Sequence, residues 1–303
     1  MIYVNIRGNI GNQLFQYAFA RKIQELTNDR ICLNIYNFNK YEPKYYKFDL
    51  DKYVLNDNVQ IEKNKKLPFF VNQRFIITRV IRKVFPNLYF DIMSKFGIYV
   101  WLFPSYKDIK IKKHKNYYID GYWQSSSYFN DIKDILLKEF TPKNKISNEN
   151  SELINLEKNT NSICISIRRG DYVTNEKFKE KFYICNKKYF EKAIEEIKKG
   201  VKNPVWFIFS DDINWAKKHV KIDGEKYYES GFDPVQDKLR LMSNCKNFIL
   251  SNSSFSWWAQ YLSTNNNKVI IAPSRWSNDN LKRDIYEKNW NLIEISEDIT
   301  NEE

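Results

Sequence analysis

The sequence predicts an α/β fold built on parallel sheet, and three observations support this. In the second half of the chain, short apolar runs alternate with amphipathic helical stretches, which is the pattern of βαβ units. Each apolar run stops abruptly at polar residues, as strands do where they leave a sheet. The chain has 303 residues, 43% of them hydrophobic, and can therefore build more than one domain core.

The chain opens with a predicted strand, a glycine turn and a helix. Apolar residues 2–6 predict the strand, and apolar residues three and four apart predict a helix over 14–26. Gly8 and Gly11 lie between them, where glycine lets the backbone approach a ligand and the helix start favours phosphate. A plain tight turn explains the same residues, so both interpretations stand here.

The middle of the chain carries fewer signals. Across 69–85, apolar residues interleave with arginines and a lysine, which is typical of a helix resting on anionic lipid. An ordinary surface helix with its apolar face on the core would give the same pattern. Further on, residues 117–123 predict a strand, 128–140 a helix, and the polar, proline-broken stretch 141–150 a linker.

Polar residues follow four predicted strands of the second half. After strands 163–167, 205–209, 247–250 and 268–271 come, in turn, Arg168-Arg169-Gly170-Asp171, Ser210-Asp211-Asp212, Ser251-Asn252-Ser253-Ser254-Phe255-Ser256 and Ala272-Pro273-Ser274-Arg275-Trp276. The carboxyl ends of parallel strands share one edge, so we expect these loops to line one crevice. Paired guanidiniums there suit a diphosphate. Each loop alone is also explained by surface ion pairs or helix N-caps.

The formal net charge of +12 indicates anionic partners, namely nucleic acid, a nucleotide or an acidic membrane surface. Nucleic acid is not predicted, because the basic residues are dispersed and not interleaved with aromatics along one stripe. The four cysteines are scattered without metal-site spacing and are expected to be reduced core residues. The start of the chain lacks a signal-peptide pattern, and no apolar run reaches the roughly 18 residues of a membrane span.

Five motifs together resemble those of the bacterial α-1,2-fucosyltransferases, glycosyltransferase family 11. They are residues 8–17, 121–124, 168–172, 209–212 and 252–258, and their order and spacing match along the whole chain. The resemblance implies a GT-B-type fold of two Rossmann-like domains facing a cleft. We expect an acceptor-side domain with the glycine turn over 1–145 and a donor-binding domain over 146–303.

The resemblance also implies the chemistry. The donor would be GDP-L-fucose, used without a metal or other cofactor, and fucose would pass with inversion to the 2-OH of a galactoside. That acceptor would be part of a bacterial surface glycan such as O-antigen, either free or lipid-linked, at the cytoplasmic face of the membrane. Another fucosyl linkage, such as α-1,6, stays open. The implied donor-binding residues are Gly8, Gly11, Asn12, Gln13, Arg168, Arg169, Asp211, Asp212, Asn252, Ser253, Ser254, Phe255 and Ser256.

Three residues are catalytic candidates. Arg169 would stabilise the leaving diphosphate. The general base is less evident, because the family's usual histidines are replaced by Ser166 and Tyr183 in this chain. Asp171 is the first candidate base, although its arginine neighbours should lower its pKa and make it an ion-pair partner. Glu176 is the alternative, at a spacing similar to that of the catalytic glutamate in core α-1,6-fucosyltransferases.

Overall fold

The computed structural model describes residues 1–41, 46–71, 76–279 and 281–295. The chain forms two compact units, which are Met1–Thr141 with Lys282–Ile285 (unit 1) and Pro142–Leu281 with Tyr286–Glu303 (unit 2). The division after Thr141 lies four residues before the one expected from the sequence. The return of the chain to unit 1 was not expected. It is held by Asp284, whose N–H donates to the carbonyl of Pro104 and whose carboxylate accepts from the N–H of Tyr106 at 2.7 Å.

Unit 1 is a five-stranded parallel sheet in the order β3-β2-β1-β5-β4, with helices in its connections. Its strands are β1 (Ile2–Asn5), β2 (Ile31–Asn34), β3 (Val59–Glu62), β4 (Ile98–Trp101) and β5 (Tyr117–Gly121). Its α-helices are α1 (Ile10–Thr27), α2 (Tyr36–Tyr41), α3 (Ile76–Val84), α4 (Pro86–Met93) and α5 (Lys133–Glu139). Short 3₁₀ turns cover Leu50–Lys52, Ser94–Phe96, Ser126–Tyr128 and Asn130–Ile132.

Helix α1 begins four residues earlier than the predicted start at residue 14. The N–H groups of Asn12 and Gln13 both donate to the carbonyl of Asn9, so the expected turn is already the first helical turn. The helix ends before Asn28, which adopts a left-handed φ of 56°. A second correction concerns 128–140, where two 3₁₀ turns come first and α5 starts only at Lys133.

Unit 2 is a six-stranded parallel sheet in the order β11-β10-β9-β6-β7-β8. Its strands are β6 (Asn161–Ile167), β7 (Pro204–Ser210), β8 (Lys226–Tyr228), β9 (Asn247–Ile249), β10 (Ile270–Pro273) and β11 (Asn291–Ile293). Its helices are α6 (Asn148–Asn159), α7 (Gly170–Thr174), α8 (Glu176–Phe182), α9 (Lys187–Gly200), α10 (Ile213–His219), α11 (Val235–Asn244) and α12 (Ser254–Leu262). The predicted α/β class with parallel sheets is confirmed.

Two segments of unit 2 are more helical than expected. The end of the expected linker belongs to α6, because the Ser147 side chain accepts from the N–H of Asn150 and caps the helix. The expected turn after strand β6 likewise opens α7 at Gly170. Helix α6 also carries Glu157, whose side chain is fully buried. All four cysteines are free and buried, as expected of core residues.

Candidate functional site

The centre of unit 2 is a topological switch point. The chain leaves β6 toward β7 on one side, and β9 later pairs with the other side of β6. In such sheets, ligands bind where the strand order reverses, beyond the carboxyl ends of the strands. Ile167 is in register with Ser210, and Ile165 with Ile249, so the loops after β6, β7 and β9 start side by side. Three of the four loops predicted to converge therefore start side by side here.

Arg168 is held by both neighbouring loops. Its N–H donates to the hydroxyl of Ser251 at 2.9 Å, after β9. Its guanidinium donates to Asp211, after β7, at 2.6 Å and to Asp171 within its own turn. Burial disfavours its charged form, but the two carboxylates outweigh burial and raise the pKa of Arg168. Arg168 is therefore a cation held in place by its acidic neighbours.

Arg169 is buried and packs against aromatic rings. Its guanidinium lies 4.0 Å from the centre of the Trp215 ring and donates through Nε to Asp212 at 3.3 Å and through Nη1 to the Tyr183 hydroxyl at 3.4 Å. A stacked guanidinium is a directional donor with little freedom to move. Arg169 is thus oriented before any ligand binds.

Asp211 contacts both arginines and fixes their positions relative to each other. One carboxylate oxygen accepts from the N–H of Arg169 at 2.7 Å and the other from the Arg168 guanidinium at 2.6 Å. The chain passes close to it at Gly170, where an added Cβ would lie 2.5 Å from the Asp211 carboxylate. Only a residue without a side chain fits this approach. Asp211, expected to contact the donor, is placed to position the arginines.

The N-cap alternative is confirmed at two of the predicted loops. Asp212 accepts from the N–H of Trp215 at 3.0 Å and caps α10, and Ser253 accepts from the N–H of Phe255 at 3.2 Å and caps α12. The first turn of a helix presents N–H groups that favour anions. Ser253, Ser254 and Phe255 are half-buried, so the start of α12 is accessible from solvent.

Two predicted donor contacts are corrected to structural roles. Asn252 is buried, and its amide group donates to the carbonyls of Phe182 and Trp276 while its oxygen accepts from the thiol of Cys185. Ser256 is buried, and its hydroxyl pairs with that of Ser166 at 2.6 Å. Both side chains face inward, because Asn252 joins neighbouring segments and Ser256 joins α12 to β6. They hold together the elements around the site.

The two candidate bases stand in different surroundings. Asp171 is half-buried and its carboxylate accepts from Arg168, which is the ion pair considered as an alternative role. Glu176 is the exposed first residue of α8. Asp171 therefore lies within the arginine cluster, whereas Glu176 has no hydrogen bond to that cluster among the described residues.

Unit 1 has its own switch point, between β1 and β5. Gly8 follows β1 at φ 70°, and an added Cβ would lie 2.6 Å from the amide nitrogen of Asn12. The Asn12 oxygen accepts from Gln124 at 2.9 Å, so the glycine motif and the 121–124 motif meet. Gly11 is buried in the first turn of α1. Gln13, a predicted donor contact, is fully buried and donates to the carbonyls of Gly8 and Lys47, so it braces the turn instead.

Sequence reasoning missed several residues at these two edges. Trp215 and Tyr183 flank Arg169 in unit 2, and Asp120 in unit 1 accepts from Asn5 at 3.1 Å and from Arg7 at 2.5 Å. An aromatic residue three places after the capping Asp212 was the available signal for Trp215. Asp120 is the one charged residue of β5, and a buried carboxylate there needs cationic or amide partners.

Comparison with known proteins decides the family. Residues 1–294 match the family described as Glycosyl transferase family 11. The chain belongs to this family. The resemblance drawn from the five motifs is therefore confirmed, and the protein is a family 11 glycosyltransferase.

Relatives within the family differ in the sugar named. An Escherichia coli alpha-1,2-colitosyltransferase is 34% identical, with 91% of this chain and 92% of that protein covered. The E. coli O-antigen biosynthesis glycosyltransferase WbnK is 27% identical over 95% of this chain and 99% of its own length. Mouse galactoside 2-alpha-L-fucosyltransferase Sec1 is 26% identical, over 50% of this chain and 43% of its own. Among solved structures, fucosyltransferase NodZ from Bradyrhizobium overlaps at a TM-score of 0.49 and 12% identity, covering 86% of this chain and 92% of its own.

Proposed function

We propose that this family 11 enzyme transfers L-fucose from GDP-L-fucose to the 2-OH of a galactoside, with inversion and without a metal ion. The acceptor would belong to a bacterial surface glycan assembled on the cytoplasmic side of the membrane. In the reaction, the acceptor oxygen bonds to C1 of fucose as the bond from C1 to the β-phosphate oxygen breaks. The acceptor proton passes to a base, and GDP leaves with the electron pair.

The observation that carries the proposal is the oriented pair Arg168 and Arg169 at the switch point of unit 2. Negative charge develops on the β-phosphate as the glycosidic bond breaks, and donors already fixed in place stabilise it without reorganising. Arg169 is stacked on Trp215 and braced by Asp212. The start of α12, capped by Ser253, supplies further N–H groups.

The names of the relatives support the proposed α-1,2 linkage and a role in O-antigen biosynthesis. The E. coli colitosyltransferase is named for alpha-1,2 transfer and the mouse enzyme is named a galactoside 2-alpha-L-fucosyltransferase, whereas WbnK is named for O-antigen biosynthesis. The motif resemblance supports fucose as the sugar. These observations favour a 6-deoxyhexose donor and a galactoside 2-OH acceptor.

Colitose is the second candidate sugar, because the relative with 34% identity is a colitosyltransferase. Colitose is the 3-deoxy counterpart of L-fucose. A site that binds the fucose 3-OH through a buried polar group would reject a donor that lacks this hydroxyl, whereas an apolar site would accept both sugars.

The function is tested by incubating the protein with GDP-fucose or GDP-colitose and a panel of β-galactosides in the presence of EDTA. NMR of the product identifies the sugar, the linkage and the anomeric configuration. We expect an α-1,2-fucosyl product. If only colitose is transferred, GDP-colitose and not GDP-fucose is the donor. A product with another linkage would show that the acceptor hydroxyl is not the galactoside 2-OH. Loss of activity in EDTA would refute metal independence.

Arg169→Ala tests whether the oriented arginine pair stabilises the leaving diphosphate. Loss of this charged contact should weaken transition-state binding by about 2 to 4 kcal/mol, so kcat/KM should fall by about thirty- to a thousandfold. GDP binding, measured by calorimetry, should weaken as well. Arg30→Ala is the control, because Arg30 is exposed in unit 1. Near-normal kcat/KM in the Arg169 variant would remove this arginine from the mechanism.

A further inference from the structure

We propose that an exposed surface of unit 1 docks onto an anionic lipid bilayer. This surface is formed by α3, α4 and the 3₁₀ turn that follows them, and is called the α3–α4 face below. Its apolar members are Ile76, Ile77, Val80, Ile81, Val84, Leu88, Ile92 and Phe96, and its basic members are Arg79, Lys83 and Lys95. The inference goes beyond the proposed function and is tested independently of it.

Helix α3 is oriented with its apolar side outward. Its five apolar members are each between 42% and 65% exposed, whereas Thr78 and Arg82 are buried. At about 100° per residue, the five apolar side chains span an arc of about 140°, and Thr78 and Arg82 project from the opposite side. The sequence allowed an ordinary surface helix with its apolar face on the core, and the structure contradicts that alternative. Residues 72–75 of the predicted stretch lie outside the described part.

The polar side of α3 packs toward α4 at Arg82. The Arg82 guanidinium donates to the carbonyl of Thr78 at 3.0 Å and to its hydroxyl at 2.8 Å. The same guanidinium lies 5.6 Å from the centre of the Tyr89 ring, on α4. The outward direction of the apolar stripe is therefore set by the packing of α3 on α4.

Further exposed apolar residues follow α3 along the chain. Leu88 and Ile92 are exposed one turn apart on α4, and Phe96 is exposed in the following 3₁₀ turn. Exposed apolar side chains that recur through three consecutive elements are unusual on a protein that stays in water, and such clusters mark docking sites. Neither helix reaches ten residues, and no helix in the described part of the chain is long and apolar enough to cross a membrane. A segment of this kind would lie in the plane of the interface.

The charged residues of the α3–α4 face favour an anionic lipid surface as its binding partner. Arg79 and Lys83 are exposed along one edge of the apolar stripe, and Lys95 is exposed beside Phe96. The acidic residue within the described helices of this face is Asp91, and it pairs with Lys107 at 3.0 Å. A second copy of the chain would bring like charges together, whereas anionic headgroups neutralise them while the apolar stripe enters the acyl boundary. The net charge of +12 acts in the same direction.

The test is sedimentation of the full chain with vesicles of phosphatidylcholine, alone or mixed with phosphatidylglycerol. We expect binding to the mixed vesicles at low salt, weakened at high salt. Ile77→Glu combined with Val84→Glu should abolish it, because both residues lie near the middle of the stripe. Arg79→Glu combined with Lys83→Glu should weaken it by about tenfold or more, since each basic residue near anionic lipid contributes about fivefold.

Matched controls lie in unit 2. Phe232 is 95% exposed, so Phe232→Glu replaces an exposed apolar side chain elsewhere and should leave vesicle binding unchanged. Lys192→Glu combined with Lys202→Glu makes the same charge change at exposed sites of unit 2. Circular dichroism and thermal unfolding verify that every variant is folded. No binding at low salt, or equal loss in the controls, would overturn the proposal. So would a dimer, seen by light scattering, that only the Ile77/Val84 variant dissociates.

Discussion

Glu157→Gln should change how the stability of unit 2 depends on pH. Glu157 is fully buried near the end of α6. Burial raises its pKa from the usual 4.5 to about 9, and the opposing effects of the Cys245 thiol and Lys158 are smaller. The group is thus a neutral carboxylic acid in the folded protein near pH 7. Glutamine keeps its shape and removes its titration.

The magnitude follows from linkage. Between the unfolded and folded pKa values, the folded state holds a proton that the unfolded state has released, so stability falls as pH rises. The stabilisation from this carboxyl group is fully present below its pKa in the unfolded chain. It is lost as the pH rises to its pKa in the folded protein. The slope is about 1.4 kcal/mol per pH unit, so from about pH 6 to about pH 8 the wild type should lose about 2.7 kcal/mol through this group.

The assay is urea unfolding of wild type and variant across that range, followed by circular dichroism. Other groups titrate in both proteins, so the quantity to compare is the difference between the two unfolding free energies. It should shift in favour of the variant by about 2.7 kcal/mol as pH rises. Glu152→Gln, at an exposed position of the same helix, should show no such shift. A difference independent of pH would refute the claim that Glu157 is protonated when folded.

Two further predictions concern the site of unit 2. Gly170→Ala places a Cβ 2.5 Å from the Asp211 carboxylate and should displace this carboxylate, which holds Arg168. GDP affinity, measured by calorimetry, should therefore fall by about tenfold. Unchanged affinity would contradict this role of Asp211. If Asp171 is the base, Asp171→Asn keeps an oxygen that can accept from Arg168 but removes the group that takes the acceptor proton, so kcat should fall by about a hundredfold with GDP affinity retained. Lost GDP affinity with kcat intact would instead make Asp171 a residue that positions Arg168.

The strands around the unit 2 site were predictable because they are buried on both faces. Strand β7 is a nearly unbroken apolar run, β6 alternates isoleucine with serine and cysteine, both are followed by charged residues, and their loops do meet. Two of the edge strands, β3 and β11, gave no such signal. Strand β3 is partly exposed, and β11 has only three residues, so neither has an apolar pattern that stands out from a loop.

The roles of single side chains were less predictable than their location. Asn252 and Ser254 lie two residues apart in one motif, yet Asn252 is buried within a network of backbone carbonyls and Ser254 is partly exposed at the start of α12. A motif shows which residues come together. Which of them line the site depends on partners such as Phe182 and Trp276, which are distant along the chain.

Helix α3 shows the same limit at the level of a whole element. Periodicity assigns Ile77 and Val84 to one side of a helix and Arg82 to the other, and the structure agrees. It does not say which side faces the protein. Here the side with Arg82 is inward, because the Tyr89 ring of α4 lies beside its guanidinium, which also donates to Thr78 one turn back on the same helix. An amphipathic pattern is therefore evidence for two faces, and only the contacts made by the polar one show whether the apolar face is core or surface.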